Sequence, residues 1–244
     1  TTEIYTLSLH DALPIYTPAG LVKARVETSG GRTGAITVAN VPSFLYRADV
    51  SLDLGPLGRV KVDVAYGGNF FALVKAADLG LTVRPDQVEA MITAGLKIRS
   101  RINETIPVFH PLQGRRRVDL VEFYGPAEKP GVDARNLVVF GDGQFDRSPC
   151  GTGTCAKMAA LPARGKLPLG QPYVHESVIG SLFTGRLTAV VRLGELEAVE
   201  PEITAQAFVT GRQEFILDDE DPFRNGFLVA PGRVDRAGPI IPLG

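Results

Sequence analysis

Asp146-Arg147-Ser148-Pro149-Cys150-Gly151-Thr152-Gly153-Thr154-Cys155-Ala156-Lys157-Met158-Ala159-Ala160-Leu161 is the stretch on which the reading of this chain turns. Gly151 and Gly153 let the backbone turn tightly and approach a ligand closely. Pro149 removes a donor and stiffens the approach. A helix is predicted from about Thr154 to Leu161, with Thr154 as its candidate cap, and Pro162 should end or kink it. Free amides at a helix start form an anion site, and Cys150 stands just before them. A thiol at a helix N-terminus has its pKa lowered, so part of it is thiolate near neutral pH. A thiolate beside a carboxylate-sized anion pocket suits proton abstraction next to a carboxylate, or attack on a carbonyl. A cysteine before a Gly-rich turn can instead be an inert core residue. The two glycines and two threonines around Cys150 favour the functional reading. Cys155 falls one turn into the helix and reads as a small core residue.

Working outward, β signals dominate. Leu21 to Val26 and Gly34 to Val38 read as strands joined by Ser29-Gly30-Gly31. Ala48 to Leu54 and Arg59 to Ala65 flank Gly55-Pro56-Leu57-Gly58 and read as a hairpin, and Phe70 to Lys75 is a further apolar strand. The period then changes: after Arg84-Pro85-Asp86, the apolar Val88, Met91, Ile92, Leu96 and Ile98 fit an amphipathic helix with Asp86 or Thr82 near its start. Strands are expected again at Val118 to Tyr124, Leu137 to Phe140, Val174 to Ile179, Leu187 to Val191, Glu202 to Thr210 and Gln213 to Leu217. The tail beyond Ala230 reads as unstructured. Many strands with few, separated helices predict an α+β architecture.

Composition bounds the function classes. The 244 residues are 44% hydrophobic and 22% charged, ordinary values for a globular protein. A net charge of -1 argues against a phosphate-binding surface, and Arg115-Arg116-Arg117 reads as a solvated loop rather than a nucleic-acid patch. No apolar run approaches the roughly 18 residues of a membrane span, and no secretory leader is visible. Two cysteines five residues apart are too few for a disulfide framework, which makes the cytoplasm the expected compartment. His10, His110 and His175 lack ligand spacing, so no metal site is expected.

Asp146-Arg147-Ser148-Pro149-Cys150-Gly151-Thr152-Gly153-Thr154 closely resembles the second active-site motif of the proline racemase family, which includes proline racemases, 4-hydroxyproline 2-epimerases and trans-3-hydroxyproline dehydratases. Further signposts follow in the family's order: Thr17-Pro18-Ala19-Gly20-Leu21-Val22, Asn40-Val41-Pro42-Ser43-Phe44, Tyr66-Gly67-Gly68-Asn69-Phe70-Phe71, His175-Glu176-Ser177-Val178-Ile179-Gly180, and Asp221-Pro222-Phe223 with Gly226-Phe227. The resemblance covers about residues 17 to 230. It implies a diaminopimelate epimerase-like two-domain fold, with β-strands wrapped around a central helix in each domain and the substrate in the crevice. It implies two cysteines, one at each central helix start, that move a proton off one face of the α-carbon and onto the other without any cofactor. By position, Cys150 is one of these. Asp146 matches the residue that receives the ring ammonium, Gly151 and Thr152 the amides that hold the carboxylate, and Phe140 an aromatic pocket wall. The implied partner is a small imino acid such as proline or 4-hydroxyproline, not nucleic acid or membrane. A homodimer is left open.

The resemblance places the other catalytic cysteine in a Cys-Gly-His motif upstream of Thr17, and these 244 residues hold no such motif. The first domain is therefore expected to be incomplete and the chain inactive alone. Residues 1–15 resemble the translated read-through of a sequencing-library adaptor and are expected to be a non-native leader, with a natural strand and turn as the alternative. Residues 16–45 then belong to the first domain, 46–220 form the second, 221–230 return to the first, and 231–244 are a tail. In the family's dehydratases the position of Cys150 is typically threonine, so cysteine favours a racemase or epimerase. Two other readings stay open: a carboxylate-binding module without proton transfer, and a cysteine hydrolase, which needs His110 or His175 at Cys150.

Overall fold

The computed structural model describes residues 13–29, 32–208 and 210–226. Its strands are β1 (Leu13–Thr17), β2 (Gly20–Ser29), β3 (Arg32–Ala39), β4 (Phe44–Asp53), β5 (Arg59–Tyr66), β6 (Phe70–Lys75), β7 (Val108–His110), β8 (Gly114–Arg116), β9 (Val118–Gly125), β10 (Ala134–Phe140), β11 (Gln144–Phe145), β12 (Tyr173–Ser177), β13 (Leu182–Leu193) and β14 (Leu196–Gln206). Helix α1 spans Val88–Thr105 and α2 spans Gly151–Ala160. The chain divides into a unit ending at Ala207 and a second beginning at Phe208. No helix among the described residues is long and apolar enough to cross a membrane.

In the first unit β14, β13, β12, β10, β9, β6, β5 and β4 lie side by side in that order. Ser43, just before β4, exchanges two 2.8 Å backbone bonds with Val199 of β14, and this closes the strands into a ring. Helix α2 lies inside it, touching β4, β5, β6, β13 and β14, and every residue from Gly153 to Ala160 is buried. Glu202 to Gln206 of β14 pair with β3, from which β2 and β1 continue as a meander. The ring is antiparallel except where β6 meets β9 and β10 meets β12.

Strand alternation decides what reaches α2. Val121 and Phe123 of β9, with Leu137 and Val139 of β10, pack in the cluster that holds Met91, Ala94, Ile98 and Ile102 of α1. Their neighbours point the other way: Phe71, Leu73 and Val138 pack with Cys150, Ala156 and Ala160. A sheet covered on both faces reads as near-continuous apolar runs, as Phe70 to Val74 does. Gly95 lets α1 settle on β9 and β10, since a Cβ there would meet Val139 and Phe123 at 3.1 and 3.2 Å.

The predicted strands other than Gln213 to Leu217 form, as do both helices, with shifted ends. α1 starts at Val88 after a single 3-10 turn, Pro85–Gln87, and has no side-chain cap; Gln87 Oε1 instead accepts from the Thr82 amide at 2.7 Å. α2 ends at Ala160, and Pro162 opens a 3-10 turn. Arg115 and Arg116 lie in a small β7–β8 hairpin rather than a plain loop. Gln213 to Leu217 is not a strand: Phe215, Ile216 and Leu217 are at least 79% exposed. A strand persists only where a neighbour takes its backbone groups and apolar face. Leu13 to Ile15, in the predicted leader, pair with β2 but leave their side chains exposed. Residues 1–12 and the tail beyond Ala230 lie outside the described residues.

Candidate active site

The loop before α2 is tied down by a short relay. Asp146 Oδ1 accepts from the Ser148 amide and hydroxyl at 3.2 and 3.0 Å, and Ser148 Oγ accepts from the Cys150 amide at 3.1 Å. Asn136 of β10 donates to Pro149 O at 2.8 Å, and Thr154 Oγ1 donates to the same oxygen at 3.0 Å. The cap of α2 is Cys150, not Thr154: its sulfur accepts from the Gly153 amide at 3.4 Å and lies 3.7 Å from Thr152 Oγ1. Thr154 is already inside the helix. Cys150 holds φ 61°, ψ 118°, a left-handed conformation for a residue with a side chain. Such strain costs about 1–3 kcal/mol and survives only where the surroundings impose it, typically at functional sites.

The first amides of α2 are open. Those of Gly151 and Thr152 carry no hydrogen bond among the described residues, as expected at a helix start. Gly151 and Thr152 line a cavity of about 420 Å³ together with Thr17, Asn40, Gly68 and Asn69. Gly67 and Gly68 explain the double glycine. A Cβ on Gly67 would collide with Thr152 O and Ala156 N, while Gly68 adopts φ +112° beside the Thr152 side chain. The β5–β6 turn can therefore rest directly on the helix start.

The lowered thiol expected from the sequence is reversed. Cys150 is only 5% exposed, and burial pushes its thiol far up, with the Asp146 carboxylate adding to the rise. The Gly153 amide and the Thr152 hydroxyl pull the other way and lose. Magnitudes explain the outcome: a helix terminus is worth about 0.3–2 kcal/mol, whereas removing a charge from water costs several.

Sequence reasoning missed the group behind the thiol. Glu122 of β9 is wholly buried, and neither carboxyl oxygen has a hydrogen-bond partner. Burial raises its pKa to about 8, opposed by the charge of Lys157 and by the nearby Asn136 side chain. Lys157, buried on α2 with its ammonium 3.0 Å from the Tyr124 ring centroid, is lowered by the same cause. His175 Nε2 lies 3.7 Å from Glu122 Oε1, and its Nδ1 lies 3.0 Å from Thr154 Oγ1. Burial, then the charge of Lys157, lower this imidazole to about 3, so it is neutral. A glutamate in the middle of Val118-Asp119-Leu120-Val121-Glu122-Phe123-Tyr124 was the available signal.

Cys150 and Asp146 are thus tied together through Ser148 beside the start of α2, but of the predicted site residues only Gly151 and Thr152 line the cavity. Phe140 ends β10, is 36% exposed, and makes no ring contact among the described residues. Cys155 is fully buried inside the ring, as a core residue. His175 bonds Thr154 and His110 packs on Tyr66 at 4.6 Å, so neither meets the sulfur as a hydrolase would require.

A family model described as proline racemase matches residues 4–228, and the chain belongs to the proline racemase family. It is 42% identical over 213 residues to a proline racemase of Clostridioides difficile, covering 87% of this chain and 64% of that protein. It is 44% identical over 217 residues to a 4-hydroxyproline 2-epimerase of Streptosporangium roseum, again 87% and 64%. Its structure matches that of a hydroxyproline epimerase from Agrobacterium vitis with bound trans-4-hydroxy-L-proline: TM-score 0.82, 35% identity, 93% of this chain and 65% of that one. The α+β fold with strands wound around a helix is therefore the family's. The chain spans somewhat under two thirds of the length of these relatives.

Proposed function

We propose that this chain carries one half of the proton-transfer machinery of a cofactor-independent racemase or epimerase acting on the α-carbon of proline or 4-hydroxyproline. The observation that carries the reading is the corner at the start of α2: a strained thiol at the cap, two unused amides opening on a cavity, and the Asp146 carboxylate four residues earlier, linked to Cys150 through Ser148. The names of the relatives supply the substrate class.

In this reading the substrate carboxylate takes the amides of Gly151 and Thr152, whose dipoles stabilise the negative charge that grows there when the α-proton leaves. Asp146 receives the ring ammonium through its second oxygen, and the aromatic face of Phe140 borders the ring. The Cys150 thiolate removes the α-proton from one face. A thiol on the opposite face gives a proton back, and the carbon is inverted. In the reverse direction Cys150 donates. Only Cys155 remains as another cysteine in these 244 residues, and it is sealed inside the ring. The second thiol must then come from a segment carrying the family's Cys-Gly-His motif. The thiol at position 150 also speaks for inversion over dehydration, since the family's dehydratases typically carry threonine there.

The test is α-proton exchange in heavy water together with polarimetry on both enantiomers of proline and 4-hydroxyproline. The 244-residue chain should not invert either one. Joined to a first-domain segment bearing Cys-Gly-His, it should do so without added cofactor, and Cys150→Ser in that protein should abolish inversion. Robust inversion by the chain alone, or by the Cys150→Ser protein, would overturn the reading.

A further inference from the structure

Glu122 stands out as a wholly buried carboxyl group whose oxygens make no hydrogen bond of ordinary length, with the Asn136 side chain near enough to pull its pKa down but too weakly to offset burial, placed directly behind the reactive thiol. A Cβ built on Gly153 would lie 2.8 Å from Glu122 Oε2 and 3.3 Å from Cys150 Sγ, so the two groups face each other across the space that the glycine leaves empty. An ionised carboxylate there would oppose a thiolate at Cys150.

The hydrogen-bond chain beside it decides where the protons sit. Thr154 has one hydroxyl proton and two acceptors within 3.0 Å, Pro149 O and His175 Nδ1. If that proton goes to His175, Pro149 O and Thr154 Oγ1 face each other with no proton between them. If it goes to Pro149 O, every contact is satisfied: His175 Nδ1 carries its proton and donates to Thr154. The imidazole is neutral, so Nε2 is then a bare acceptor. It faces Glu122 Oε1 at 3.7 Å. At that distance no hydrogen bond joins them, and two facing acceptors favour the carboxyl group that keeps its proton.

We propose that Glu122 is a positioning residue for Cys150, held as an uncharged carboxylic acid beneath Gly153 by the His175–Thr154–Pro149 chain, so that the Cys150 thiolate forms with no second negative charge behind it. The other groups facing Glu122 agree. His175 and Tyr173 of β12 are neutral, one lowered and the other raised chiefly by burial. Cys155 on α2 is a thiol raised to about 12. Lys157 on α2 is the one cation, itself influenced by Asp63 and Arg164. Burial raises Glu122 and lowers Lys157, so rising pH draws a proton from this buried pair and makes the ground behind the thiol more negative.

This inference rests on Cys150 being the proton-transfer thiol, but its test needs no turnover. Alkylation of Cys150 by iodoacetamide is followed from pH 6 to 10 in the wild-type chain and in Glu122→Gln, with fragment-ion mass spectrometry separating Cys150 from Cys155. Glutamine mimics the protonated acid and cannot ionise. The two rates should agree within about twofold below pH 7.5, and the variant should react at least about threefold faster above pH 8.5. Faster reaction of the variant at pH 6–7 would mean a charged Glu122 at neutral pH and would overturn the proposal, as would coincidence of the two profiles throughout. Should Glu122→Gln fail to fold, carbon NMR of the wild-type chain with 13C-labelled glutamate serves instead. One side-chain carboxyl should titrate near pH 8, and none above pH 7 would refute it. Inversion absent from the completed protein with this alkylation pattern intact would unseat the racemase reading and leave the role of Glu122 standing.

Discussion

Asp146 and Cys150 are joined through a single side chain: Ser148 donates its hydroxyl to Asp146 Oδ1 at 3.0 Å and accepts the Cys150 amide at 3.1 Å. The carboxylate that fixes the loop is thereby also held close enough to raise the thiol. Loop order and thiol acidity are set by the same residue.

Asp146→Asn separates the two roles. The amide oxygen keeps the bonds to Ser148 but carries no charge. The Cys150 thiol should then ionise at lower pH, and alkylation at pH 8 should speed up a few-fold, since a neighbouring like charge disfavours the thiolate. The completed enzyme should at the same time bind its substrate ammonium less well and show a raised KM. Slower or unchanged alkylation would remove Asp146 from the electrostatics of Cys150.

The glycines around the start of α2 are expected to be intolerant of even one methyl group. Gly153→Ala must displace the Glu122 carboxyl group and crowd Cys150, which should cost about 1–3 kcal/mol, the usual range for overpacking. Gly67→Ala strikes backbone of α2 at Thr152 and Ala156 and should cost more. Urea unfolding of the two variants checks the order. Both lying within about 0.5 kcal/mol of wild type, the range of ordinary surface changes, would show that the helix start is not packed as described.

His175 makes a pH prediction with a definite sign. Its folded value is depressed from 6.5 to about 3. Between those values the unfolded chain binds a proton that the folded one does not, so stability is full above pH 6.5 and is lost as pH falls towards 3. The slope approaches about 1.4 kcal/mol per pH unit. His175→Asn, which retains a partner for Thr154 and does not titrate, should lack this component. Denaturant unfolding at pH 7, 6, 5 and 4 measures the difference between the two proteins, and parallel curves would count against a neutral His175.

Much of the fold was legible because it is locally encoded. The Gly55-Pro56-Leu57-Gly58 hairpin, the change of period at Val88 and the stop at Pro162 depend on turn chemistry and side-chain spacing within a few residues, and each forms where expected. The motif around Cys150 announced a helix start for the same reason. Gln213 to Leu217 has the right composition for a strand, but composition does not supply a neighbour.

The sequence by itself determined the family and most of the strand and helix order, and it singled out Cys150 as the candidate reactive group, since these follow from local residue types in a specific pattern. Tertiary structure alone decided the electrostatics. Whether the Cys150 thiol moves up or down depends on how much water the ring excludes and where Asp146 turns, and no spacing encodes either. Glu122 stands 28 residues before Cys150 in the chain. Its alternation with Val121 and Phe123 puts it on the opposite face of β9. Only the closed ring, with α2 inside and α1 outside, makes both faces interior and brings that carboxyl group up behind the thiol.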